Sequence, residues 1–176
     1  TVDQVPEGGA RAEPTARFQS TLPLVEAKFL PPTRRPATID RPRLLGLLMA
    51  KGGPRVIAIT APPGYGKTTL LAQWLVHEPR PVAWLTVDDL DNDPAVLLSY
   101  LAAALDRILP VDASIRSALS APHERILTTA VPRLATALDA WGRPAALVHD
   151  DVHRLVDRTS LDALTTLLDH LPPSFR

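Results

Sequence analysis

The chain contains no cysteine. That excludes disulfides and thiolate metal sites, and it fits a reducing compartment. It has no excess of either charge: Lys+Arg and Asp+Glu are both 19, for a formal net charge of +0. A protein that held nucleic acid by counterion release would carry a basic surplus, so no strongly basic nucleic-acid surface is expected. No apolar run approaches the roughly 18 residues of a membrane span, and there is no signal peptide. Together these absences give the expectation of a cytoplasmic protein with no membrane partner. The first residue is Thr1 rather than Met, which reads as a piece of something longer.

What is present is enough for a core. The 176 residues are 45% hydrophobic, with a mean hydropathy of +0.04, as expected of one globular domain with extensions. Residues 1–22 mix Pro, Gly, Glu, Arg and Ala without periodicity and read as a disordered tail. Residues 23–176 read as the domain. Its first part, 23–36, carries prolines that favour an extended path over the surface.

The stretch around which the rest is arranged is Ala61-Pro-Pro-Gly-Tyr-Gly-Lys-Thr68. Before it, residues 56–60 form a β-branched, apolar run, predicting a strand buried on both faces. After it, Leu70, Leu71, Trp74 and Leu75 have helical spacing. This is the phosphate-binding pattern G-x-x-x-x-G-K-[ST] with Ala61 in place of the first Gly. Gly64 and Gly66 can adopt positive φ and admit a phosphate close to the backbone. The N–H groups of Gly64, Tyr65, Gly66, Lys67 and Thr68 then point inward at the positive end of a helix, with Thr69 continuing the binding set. Lys67 supplies charge to the β- and γ-phosphates, and the Thr68 hydroxyl can ligate Mg²⁺. The expectation is a binder of a nucleoside triphosphate.

Other elements follow in order. Asp40 reads as the N-cap of a short helix through residue 50, with Pro42 in its first turn. Residues 81–87 read as a second strand. Asp93 or Asn92 reads as the cap of a helix over 95–109, with residues 88–94 as turn and cap. Residues 110–122 read as a connection, and 123–141 as a helix kinked or split at Pro132. Residues 145–151 read as a third strand ending in two acids. Thr159 and Asp162 resemble a capping box opening another helix. The alternation predicts an α/β fold, a three-layer P-loop NTPase with a parallel sheet flanked by helices, in which ligands lie beyond the carboxyl ends of the strands. Two pairs, Asp88-Asp89 and Asp150-Asp151, fit the acidic partner that such a site needs, and strand position alone does not choose between them.

Several pieces carry a resemblance: Lys28-Phe-Leu-Pro-Pro32, Asp40-Arg-Pro-Arg-Leu-Leu45, the phosphate loop through Trp74, Trp84-Leu-Thr-Val-Asp-Asp-Leu-Asp-Asn-Asp-Pro94, Ser99-Tyr-Leu101 and Leu147-Val-His-Asp-Asp-Val-His153. In these the chain resembles the N-terminal part of the nucleotide-binding domain of the large ATP-binding LuxR-type regulators. Those are STAND-class signalling ATPases, a family that includes the maltose-operon activator. The resemblance implies ATP or ADP with Mg²⁺ as cofactors, Asp150 on the metal and Asp151 on the attacking water, with Lys67 the other catalytic group. It also places Ile39 and Arg41 in the segment that lines the base, although both equally suit the start of a helix. It implies a slowly hydrolysing ATP switch lacking its sensor and DNA-binding parts, so that the partners are nucleotide, other domains or a second copy, and not DNA. The rival readings are a self-standing P-loop phosphotransferase and a nucleotide-binding scaffold without turnover. His149 stands where that family has an apolar residue, harmless if neutral and a perturbation of Asp150 if charged. His149 and His153 are not expected to share a metal, being separated by strand and loop geometry.

Overall fold

The computed structural model describes residues 20, 22–33, 38–50, 52–120 and 123–176. Almost all of the expected tail therefore lies outside the described residues, as do residues 34–37 of the proline-rich segment. The α-helices are α1 (Pro42–Met49), α2 (Lys67–His77), α3 (Pro94–Asp106), α4 (Ala113–Leu119), α5 (His123–Trp141) and α6 (Arg158–Asp169). The strands are β1 (Val82–Thr86) and β2 (Ala146–Asp150), which pair in parallel with Trp84 opposite Val148 and Thr86 opposite Asp150. Three 3-10 turns, Glu26–Phe29, Asp89–Asn92 and Val152–Arg154, complete the described elements. The expected α/β architecture with a parallel sheet is present. Among the described residues no helix is long and apolar enough to cross a membrane.

Period-2 alternation divides the sheet between two layers. Trp84, Ala146 and Val148 face Leu48 of α1 and Leu70 and Trp74 of α2. Ala83, Leu85 and Ala145 belong to the larger core with Phe29, Leu97, Leu98 and Leu101 of α3, Leu134 and Leu138 of α5, and Leu164 and Leu167 of α6. Helices therefore cover both faces, and the carboxyl ends of both strands emerge at one edge, where Asp88 and Asp150 sit.

The run at 56–60 is not a strand. It is largely exposed, with Val56 49% and Ile57 37% accessible. A strand needs a neighbour for its ladder bonds, and among the described residues 56–60 pair with neither β1 nor β2. Leu147 N–H donates to Arg176 O at 2.8 Å and Arg176 N–H to Ala145 O at 3.1 Å, with Ala145 bridged to Phe175. Residues 175–176 thus lie along the outer edge of β2. The run is anchored by packing instead: Ile59 rests on the Leu70–Trp84–Val148 cluster, and the Arg55 guanidinium donates to Leu171 O.

Three smaller expectations are also corrected. Arg41, not Asp40, stands at the N-cap of α1, with no side-chain cap, because Pro42 needs no donor partner at the first helical position. Residues 110–122 are not a bare connection but hold α4, whose cap is Asp112, accepting from Ser114 N–H. The cap of α6 is Asp157, accepting from Ser160 N–H at 2.8 Å, so the Thr159–Asp162 capping box does not form. Of the two alternatives at Pro132, a kink or a split, the split does not occur, because α5 runs unbroken through it. The cap of α3 is Asp93, as one of the two expected candidates, and it accepts from Ala95 and Val96 N–H.

The segment before α1 is more than a surface path. In the turn Glu26–Phe29, Phe29 enters the main core and Lys28 is buried with it. Lys28 Nζ lies 2.6 Å from Asp91 Oδ2 and 3.1 Å from Asp88 Oδ1, and 4.0 Å from the centroid of the Tyr100 ring. Tyr100 Oη accepts from Val25 N–H at 3.2 Å, and Arg107 lies over the Phe29 ring while pairing with Glu26. The segment is therefore fastened along the side of β1 and α3 by one buried cation, one buried aromatic and a rim of polar contacts.

Candidate functional site: the phosphate loop and the acid pair

The loop before α2 is shaped by chirality. Gly64 has φ 80° and Gly66 has φ 76°, both left-handed. Side chains rarely tolerate that region, and glycine enters it freely. At Gly64 a Cβ would meet nothing within 4 Å, so the backbone there opens onto free space. Gly66 is the N-cap of α2, and no side chain caps the helix. The first N–H groups of a helix have no intrahelical partner, and no acidic residue stands in the first turn of α2 to neutralise them. The arrangement offers a concentration of donors and partial positive charge to an anion.

Lys67 Nζ folds back onto the loop, donating to Ala61 O at 2.7 Å and Pro62 O at 3.3 Å. Thr68 is half-buried and Thr69 exposed, while Tyr65 is 64% accessible. Arg41 and Ile39 are both brought to this place. The Arg41 guanidinium donates to Tyr65 O at 2.8 Å, and its NH2 lies 3.1 Å from where a Cβ on Gly66 would stand. Gln73, 2% exposed on α2, donates from Nε2 to Ile39 O at 2.8 Å. The segment before α1 is thus tied to the loop from two sides, and the Ile39 side chain stays 83% exposed beside it.

Asp150 ends β2, 6% exposed, and its Oδ1 accepts from Asp151 N–H at 3.0 Å. Asp151 has φ 58° and ψ 29°, the sole non-glycine with positive φ among the described residues. A β-carbon in that region costs about 1–2 kcal/mol, so tertiary contacts must hold it there. His153 Nδ1 stands 3.8 Å from Asp151 Oδ1. His149 is half-buried as a residue, but its Nε2 is shut off from solvent without a partner. Burial depresses its pKa from 6.5 to about 4, so it is neutral and adds no charge beside Asp150. Among the described residues no hydrogen bond or ion pair joins Asp150 or Asp151 to Lys67 or Thr68, and no cluster of three or more His, Asp or Glu could hold a metal by itself.

Mg²⁺ is suited by this donor set all the same. It keeps several waters and takes one or two protein oxygens plus phosphate oxygens. The Thr68 hydroxyl and Asp150 carboxylate are oxygen donors of that kind, and both belong to elements packed on the same face of the sheet through Leu70 and Val148.

The other acid pair is engaged elsewhere. Asp88 caps the turn Asp89–Asn92 and pairs with Lys28, and Asp89 pairs with Arg154 at 3.1 Å. Lys28, Asp91 and Asn92 are the contacts that sequence reasoning missed. Their one advance signal was the density of polar residues between Asp88 and Asp93.

The AAA domain family matches residues 50–174. The HTH-type transcriptional regulator MalT of Cronobacter sakazakii (strain ATCC BAA-894) is 33% identical over 150 residues, covering 85% of this chain and 16% of that protein. The protein of the same name from Serratia proteamaculans (strain 568) is 34% identical over 150 residues, with the same two shares. The chain thus spans 16% of the length of these curated relatives.

Proposed function

This chain belongs to the AAA domain family, as a nucleotide-binding domain similar to that of MalT, and from that premise we propose that it binds MgATP and hydrolyses it slowly as the switch of a LuxR-type transcriptional regulator. The observation that carries the reading is the pair of left-handed glycines leading into an uncapped helix, with the Lys67 ammonium held only by the loop's own carbonyls. On this reading residues 23–176 form the nucleotide-binding domain and residues 1–22 are a tail outside it. The protein works in the cytoplasm, and its neighbours are further domains or a second copy rather than DNA. The formal net charge of +0 gives DNA little to attract.

The residues divide the work. N–H groups from Gly64 to Thr69 receive the α- and β-phosphates. Lys67 exchanges two carbonyl acceptors for the β- and γ-phosphate oxygens, a stronger pairing because both partners are then charged. Arg41 and the exposed side chain of Ile39 flank the base and ribose. Thr68 and Asp150 would hold Mg²⁺, which would supply positive charge to the phosphates. Asp151 orients a water for in-line attack, and the products are ADP and phosphate.

The test is a melting experiment. MgADP at about 100 times its dissociation constant stabilises a protein by roughly 2.7 kcal/mol. Lys67 contributes only loop contacts, so Lys67→Ala is expected to melt near the wild type without ligand and to show no shift with MgADP. A full ligand shift in a folded Lys67→Ala protein would remove the loop from the site.

A further inference from the structure

The motif Asp88–Pro94 has no place in the nucleotide chemistry above, yet its side chains are among the most fully bonded in the molecule. The carboxamide of Asn92 makes four hydrogen bonds. Nδ2 donates to Asp89 O at 3.1 Å and to Arg154 O at 2.9 Å. Oδ1 accepts from Val156 N–H at 2.7 Å and Asp157 N–H at 2.8 Å. Two donors and two acceptors meet two acceptors and two donors, which also fixes the orientation of the amide. Aspartate would keep the two accepting bonds and lose the two donated ones, and alanine would lose all four.

Three of these bonds grip residues 154–157, the segment that follows the acid pair. That segment also determines the backbone at Asp151. Arg154 N–H donates to Asp151 O at 3.0 Å, closing the turn Val152–Arg154, and Leu155 N–H donates to Val152 O at 3.0 Å. Arg154 is gripped a second time, through its ion pair with Asp89. Asp151 is the one non-glycine residue in the left-handed region among the described residues, and such conformations persist only where the surroundings over-determine them.

The other side of the same motif is fixed as firmly. Asp91 is 0% exposed, and its Oδ2 accepts from Asp88 N–H at 2.8 Å and from Lys28 Nζ at 2.6 Å. The Asp89–Asn92 turn is therefore anchored in the body of the domain while Asn92 reaches out to the loop.

Resting on the reading of Asp151 given above, we infer that Asn92 is a positioning residue for hydrolysis: it holds the turn after β2 so that Asp151 stays left-handed with its carboxylate aimed at the water. It touches neither nucleotide nor metal. Its main effect is on turnover rather than on binding, because none of its hydrogen bonds reaches the phosphate loop or Asp150.

The experiment uses the complete protein and three readouts: steady-state MgATP turnover, MgADP affinity by titration calorimetry, and hydrogen exchange of a peptide spanning residues 152–158. Asn92→Ala is expected to lower kcat by about 10-fold or more, since small misplacements of a reacting group cost up to about 100-fold, with MgADP affinity within about twofold of wild type. Exchange at Val156 and Asp157 should accelerate. Asn92→Asp retains both accepting bonds and should recover part of the rate. Asp112→Ala removes the cap of α4, away from the loop, and supplies a comparison of lowered stability with unchanged kcat. Unchanged kcat in Asn92→Ala would overturn the inference. So would unaccelerated exchange of the loop, or a loss of kcat matched by Asp112→Ala. Full turnover in Asp151→Asn would overturn the reading of Asp151 itself and, with it, the role given to Asn92, a result separable from the others because loop exchange in Asn92→Ala would still accelerate.

Discussion

His149 gives the fold a dependence on pH whose size follows from its surroundings. It stands opposite Leu85 in the register, on the sheet face that looks into the main core, and Leu85 is 0% exposed. The imidazole has lost its water and gained no partner at Nε2, so the charged form is penalised and the pKa falls from 6.5 to about 4. Above pH 6.5 both folded and unfolded chains hold the ring neutral, and it contributes no slope. Between pH 6.5 and 4 the unfolded chain takes up a proton that the folded chain refuses, so stability is lost as pH falls. Going from pH 7.5 to 5 removes about 2 kcal/mol by this linkage. For a chain of this size each kcal/mol shifts Tm by roughly 2–4 °C, so the expected loss is roughly 4–8 °C. Other carboxylates titrate in the same interval, which is why the measurement is a difference. Wild type and His149→Leu are melted in parallel from pH 7.5 to 5, and the gap between the curves is read. Leucine fills a similar space and leaves no orphaned nitrogen, so the variant should equal or exceed wild type at pH 7.5 and gain on it steadily below pH 6.5. A constant gap across the range would refute the account and show that the ring is protonated in place.

Two further outcomes are expected. Lys28→Met strands the carboxylate of Asp91 in the core and should destabilise the domain by about 3 kcal/mol in urea unfolding; adding Asp91→Asn should then cost much less than it does in wild type, and additivity of the two would refute the pairing. Gly64→Ala should cost about 1 kcal/mol for the left-handed backbone alone, whereas Gly66→Ala should cost more and weaken MgADP binding, because its Cβ would meet the Arg41 guanidinium 3.1 Å away; equal stability of the two variants would argue against Arg41 as a buttress of the loop.

The phosphate loop was legible in the sequence because its geometry is local. Two glycines, one lysine and a helix start follow from spacing, and the left-handed angles at Gly64 and Gly66 are the ones that spacing predicts. The strands at 82–86 and 146–150 were legible for a related reason: apolar runs ending in acids are buried wherever they occur. Pairing is a different matter. Residues 56–60 have the composition of a buried strand, but whether a strand forms depends on a neighbouring backbone to pair with, and among the described residues 56–60 have none in the sheet. Short helices fail for want of signal, as α4 does with only Ile115, Ala118 and Leu119 buried.

Charge is where sequence reading failed most instructively. The prolines of 23–36 suggest a path over the surface, and a lysine's default environment is water, yet Lys28 is buried. Its burial is stabilised by two aspartates sixty or more positions away and by the face of Tyr100. Of the candidate acid pair Asp88-Asp89, Asp88 is engaged in holding Lys28 and Asp89 pairs with Arg154. The polar residues of 88–94 then separate into anchors facing inward and one amide, Asn92, facing the loop that carries Asp151. Capping accounts for Asp88, Asp91 and Asp93: Asp88 and Asp93 satisfy the N–H groups of Leu90, Ala95 and Val96, and Asp91 closes the capping box on Asp88 N–H. Beyond any cap, Asp91 also holds Lys28, and Asn92 binds Arg154 O and the N–H groups of Val156 and Asp157 in the segment after β2.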